Sequence, residues 1–157
     1  MSDLEKAKNI IISCEFSYEN MDEMNLLKEY ESYNISEAQE KQWLEEEINN
    51  IITKIEQNNE INQYYATQYL RYMNLNQIER LSRAVESNKS YSNIEKLQIY
   101  RAIIGKIAVR RELYSKEKQK EIYDYFLNNI QILSKEGSIE KKYAESNVIP
   151  IIKGIIR

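Results

Sequence analysis

The sequence predicts an all-α fold, one domain holding a bundle of about seven amphipathic helices, and three observations predict it. Apolar residues recur at spacings of three and four, the period of one helix face. Glycine occurs 3 times and proline once in 157 residues, too few for the corners of a turn-rich β fold. Ser-x-x-Glu or Ser-x-x-Gln pairs stand ahead of apolar runs, as in Ser2 with Glu5, Ser36 with Gln39 and Ser92 with Glu95. That is the reciprocal capping pattern of a helix start. An irregular solenoid of helical hairpins is the alternative arrangement. Splitting a chain of this length would leave two pieces that are each hard to stabilise, so one core is expected.

A first helix follows Ser2, with Leu4, Ala7, Ile11 and Cys14 on one face, which makes Cys14 a core residue. A second runs from about Glu19 to Tyr33 with Met24, Leu27 and Tyr30 inward. The third starts at Ser36, carries Leu44, Ile48, Ile51, Ile52 and Ile55, and is broken by Asn58-Asn59. Ile61, Tyr65, Tyr69 and Tyr72 mark a fourth; Ile78, Leu81 and Val85 mark a short fifth. The helix after Ser92 carries Ile94, Leu97, Tyr100, Ile103, Ile104 and Ile107, with Ile99, Ala102 and Val109 opposite. A helix apolar nearly all round is a buried one, so it belongs at the centre, and Gly105 inside it predicts close approach of a neighbouring helix. Ser115 opens the last long helix, with the stripe Ile122, Tyr123, Phe126, Leu127, Ile130 and Leu133, and Gly137 stands where a C-terminal capping glycine belongs. Pro150 starts a short terminal helix. The segments opened by Ser36, Ser92 and Ser115 look alike, but their separations of 56 and 23 residues lack the fixed period of a repeat array.

Charge is polarised. Residues 1–60 hold 15 Asp and Glu against 5 Lys and Arg, a net of −10; residues 61–157 hold 10 against 17, a net of +7. The acidic half suits a basic protein partner and the basic half suits nucleic acid. Several chemistries are excluded or unsupported. With no histidine and one cysteine, there is no His-based triad, no Cys–His dyad and no ordinary zinc site. No glycine-rich loop cradles a phosphate. Glu45, Glu46 and Glu47 project about 100° apart on a helix and cannot converge on one ion. No catalytic residue, metal or cofactor is therefore expected. The start of the chain lacks a secretion-signal pattern, no apolar run approaches about 18 residues, and a lone cysteine suits a reducing compartment. A cytoplasmic location without membrane association is the expectation. The abundance of Asn, Ile, Lys, Glu and Tyr, with their mostly A/T-rich codons, points to a bacterial or phage genome.

The expected function is that of a non-enzymatic protein-binding module. Small acidic proteins without catalytic residues resemble, in composition, the immunity or antitoxin partners of toxins. Glu19, Asp22, Glu23 and Glu46 are the expected partner-binding acids, with Trp43, the single tryptophan, as a desolvated anchor. The alternative is a nucleic-acid-associated regulator using Arg71, Arg80, Lys106, Arg110, Lys116 and Lys118, beside the tyrosine-rich run from Tyr64 to Tyr72 that is suited to stacking bases. Arg111 stands on a core-facing position, where it pairs with a buried Glu or lines a groove. Tyr125 and Ile132 lie off the stripe of the last long helix.

Overall fold

A computed structural model of the chain describes residues 2–7, 9, 32–33, 35–59, 61–62, 66–135 and 137–156. Cys14, residues 19–31 of the helix expected from about Glu19 to Tyr33, and the pair Tyr64-Tyr65 lie outside the described residues. The fold is all-α, with no strand among those residues. Four long helices carry it among the described residues: α1 (Glu37–Glu56), α2 (Leu75–Ser87), α3 (Asn93–Val109) and α4 (Lys116–Leu133). Two short ones follow, α5 (Ser138–Tyr143) and α6 (Ile149–Ile152). No helix among the described residues is long and apolar enough to cross a membrane.

The starts obey the expected chemistry. Ser36 and Ser92 close reciprocal capping boxes with Gln39 and Glu95, Ser115 caps α4, and Ser2 and Glu5 exchange the same pair of bonds. Asn74 with Gln77 forms a further box at α2, from an Asn-x-x-Gln pattern as readable as the others. α1 ends as Asn58 turns left-handed at φ 63°, a conformation Asn tolerates far better than most residues. Pro150 sits in the first turn of α6. It has no N–H and its ring crowds the carbonyl four residues earlier, and the chain widens into a π-turn at Ala144–Val148 just before it.

α3 is the hub. Leu97, Ile99, Tyr100, Ile103, Ile104 and Ile107 are buried on more than one of its faces, and it touches α2, α4, α5 and α6. α1 packs on α2. The buried apolar residues from Trp43 to Ile155 form one connected core. Asn88, itself buried, pins the α2–α3 corner to the end of α1. Its amide donates to the Ile55 and Asn59 carbonyls at 2.9 and 3.2 Å, and its oxygen accepts from the Ser90 and Tyr91 N–H groups at 2.7 and 3.1 Å.

Several expectations change. Residues 61–72 are not one continuous helix: Ile61 and Asn62 are non-helical, Ala66 and Thr67 are helical, and a turn then leads into a 3₁₀ turn at Leu70–Tyr72. Tyr69 is nonetheless buried there. Val109 is not on a buried face but 82% exposed, because α3 ends at that residue. Gly105 meets no neighbouring helix, since a Cβ added there would have nothing within 4 Å; the close approach belongs to Gly154, whose added Cβ would lie 3.3 Å from that of Ala108. Gly137 does not cap α4, which ends at Leu133 with Ser134 as its C-cap; it has extended backbone and stands just before α5. In α4 the buried positions include Gln119 and Asn129, while Tyr123, Leu127 and Leu133 are only partly covered.

Gly105→Ala is therefore expected to stabilise the protein by about 0.5–1 kcal/mol, because the unfolded chain loses freedom and the folded one meets no clash. Ile104→Asp, which buries a charge at a fully enclosed position of the same helix, should cost more than about 4 kcal/mol. Urea unfolding of the two variants tests both signs. A destabilised Gly105→Ala would mean that a neighbour does press on that face.

Candidate functional site

Two surfaces come from the fold. The first is the outward face of α1, whose stripe Leu44, Ile48, Ile51, Ile52 and Ile55 faces the core. Glu46 projects opposite that stripe and accepts a bond from Gln42 at 3.2 Å, Glu45 is exposed on its flank, and Glu37 is exposed in the first turn, in register with the stripe. Glu19, Asp22 and Glu23 lie outside the described residues. Trp43 does not stand on this surface. It is 4% exposed and meets Tyr69 edge-on, centroids 6.2 Å apart, because α1 is covered beyond its main stripe by the segment before α2. The anchor role expected of Trp43 has no surface to act from, and its rigid area supports the core instead.

The second surface is a groove of about 140 Å³ between α2 and α4, with Ile107 of α3 among its lining. Ile78, Ile122 and Phe126 supply the rest of its buried apolar lining. Lys118 reaches across from α4 to Glu79 of α2 at 2.6 Å and lies 3.6 Å from Glu121. The hydrogen bond to Glu79 raises the Lys118 pKa, so the ammonium stays charged. Tyr125 lines the same groove and donates to the Glu86 carboxylate at 2.7 Å. It packs edge-on against Phe126, which packs edge-on against Tyr100. Burial pushes the Tyr100 hydroxyl well above the ordinary phenol range, and burial with the Glu86 hydrogen bond does the same for Tyr125. Both phenols remain neutral near neutral pH.

The six expected nucleic-acid-binding bases do not form one open patch. Arg80 crosses from α2 to α1, donating to Glu56 at 2.6 Å, Asn49 at 2.6 Å and Thr53 at 3.2 Å. Its hydrogen bond holds the Glu56 carboxyl below the usual range. Arg110 turns inward and donates to the Met73, Leu70 and Arg71 carbonyls at 2.8, 3.1 and 2.7 Å. It thereby caps the 3₁₀ turn that contains Arg71. Lys118 is held by Glu79. Lys106 is half-buried on α3, and Lys116 is exposed at the start of α4. Arg111, in the turn Arg111–Leu113, finds no buried Glu among the described residues; it donates to the Ala108 carbonyl at 3.2 Å.

Sequence reasoning missed the groove, the Arg110 cap and the Glu86–Tyr125 pair, each of which joins residues more than 30 positions apart or needs the packing of three helices. A partial signal existed in Gln119 and Asn129, polar residues at helical register with Ile122, Phe126 and Ile130. Gln119 spends its amide on the Arg111 and Tyr114 carbonyls at the α3–α4 corner. Among the described residues no group of three or more Cys, Asp or Glu is gathered closely enough to hold a metal ion. No protein-family model matches the chain, and no curated protein or solved structure matches it.

If Arg110 serves the fold, keeping its charge will not rescue it. Arg110→Lys keeps the cation but loses the planar fork that reaches three carbonyls. It should destabilise by about 1–2 kcal/mol, close to the loss in Arg110→Ala. Denaturant titration checks this, and a Lys variant as stable as the parent would return Arg110 to the list of surface cations.

Proposed function

We propose that this protein is a non-catalytic binding module that meets a basic protein surface through the acidic outer face of α1 and the acidic N-terminal half to which α1 belongs. The observation that carries the reading is the unequal use of charge. Arg80, Arg110 and Lys118, half of the cations that a nucleic-acid surface was expected to use, are bound by acceptors of the chain itself. Glu37, Glu45 and Glu46 face outward instead. Exposed carboxylates contribute little to stability, and their fields steer a basic partner into encounter. A toxin with its immunity or antitoxin protein is the kind of pair this chemistry suits, and the single cysteine suits a reducing cytoplasm.

The experiment is an affinity capture from the native host, followed by association kinetics with the captured partner. Glu37→Lys, Glu45→Lys and Glu46→Lys combined should slow association by about tenfold or more at low salt, with the effect shrinking as salt rises, and should leave the melting temperature nearly unchanged. Trp43→Ala should instead cost about 3–5 kcal/mol of folding stability. Unaltered kinetics in the triple variant would remove α1 as the contact surface. Tight, strongly salt-dependent binding to DNA or RNA would favour the nucleic-acid reading.

A further inference from the structure

We propose that the groove between α2 and α4 is an anchor pocket for one large apolar side chain, Leu or Phe, of a partner protein, with a lysine or arginine about one helical turn away meeting Glu121. The inference rests on the reading that the partner is a basic protein, but it concerns a different surface. Size decides the class of occupant. At about 140 Å³ the groove is well below the roughly 300–1,000 Å³ of small-molecule sites. Binding hot spots insert single large side chains into well-packed, desolvated pockets. Its floor is already desolvated: Ile78, Ile107, Ile122 and Phe126 are each nearly inaccessible.

Charge decides what flanks the anchor. At one end of the groove a single ammonium, that of Lys118, serves two carboxylates, Glu79 at 2.6 Å and Glu121 at 3.6 Å. That end therefore carries one net negative charge, and Glu121, with its side chain 72% exposed, is where a partner would meet it. At the other end Arg83 lines the groove, and Glu86 holds the Tyr125 hydroxyl, on which the two charges act in opposite senses. At the Glu121 end a cation beside the apolar anchor is thus favoured over an anion.

Two probes with the same ring and opposite charge test this on the full chain: 3-phenylpropylammonium and 3-phenylpropionate, read by NMR of isotope-labelled isoleucine methyl groups. Saturable shifts are expected at Ile78, Ile107 and Ile122, with dissociation constants on the order of a millimolar for so small a ligand. The cation should bind about threefold to fivefold more tightly than the anion, the range of one exposed ion pair. Glu121→Gln, a change at an exposed position that leaves the floor intact, should bring the two to parity. Absence of saturable shifts at those three residues, equal or tighter binding of the anion to the parent, or a preference that survives Glu121→Gln would each overturn the proposal. Failure of the α1 charge reversals to affect a captured partner would leave these results unchanged, so the two readings fail separately.

Discussion

Everything in this fold depends on one constraint: α3 has more than one face that must be kept from water. Its buried residues fall on more than one side, so no single neighbour can cover it. A large aliphatic side chain gains roughly 1.5–3 kcal/mol when enclosed, and α3 carries four buried isoleucines, one leucine and one tyrosine. That enclosure is supplied from both directions along the chain. α2 arrives from before it, α4 from after it, and the terminal segment of α5, the π-turn and α6 folds back over what remains. Widening into a π-turn keeps that segment helical up to Pro150, so Val148, Ile152 and Ile155 still reach the core.

Wrapping a helix in this way forces tight corners, and each corner leaves carbonyls that need donors. The chain fills them with side chains that look, in a sequence, like surface chemistry. Asn88 serves the end of α1 and the start of α3 together, Arg110 the 3₁₀ turn before α2, and Gln119 the α3–α4 junction. Arg110 is thereby drawn out of the outward charge of the basic C-terminal half. A cation engaged with backbone carbonyls would have to abandon those bonds to reach a phosphate, leaving buried acceptors unsatisfied at about 1–3 kcal/mol each.

Local features were legible in the sequence and distant ones were not. The helix starts at Ser36, Ser92 and Ser115 depend on residues three apart, and the burial of α3 depends on its own composition. The break after α1 depends on Asn58 alone. By contrast, the space beside Gly105 depends on where α5 and α6 come to rest, and the sharing of Lys118 between Glu79 and Glu121 depends on two helices meeting. Trp43 shows the same division: its angle on the wheel was readable, but its partner Tyr69 lies 26 positions away in a stretch whose periodicity suggested a regular helix. The aromatic run there was legible as composition, while Arg110 holds the turn at its end, Leu70–Tyr72.

The two candidate surfaces are held in relation by α2, which is fastened on both flanks by consecutive residues. Glu79 meets Lys118 on the α4 side and Arg80 meets Glu56 on the α1 side, because neighbouring helical residues point about 100° apart. Each bridge is partly exposed and contributes no more than about 1 kcal/mol. Their value is geometric: one sets the width of the groove and the other the seat of α2 on α1. The acids that face outward on α1 are not among the bridging groups. Reversing Glu37, Glu45 or Glu46 therefore alters the field a partner meets without moving α2. Neutralising Glu121 leaves the Glu79–Lys118 bridge, and with it the groove, in place. The charge that a partner would meet is thus separable from the charge that holds the fold.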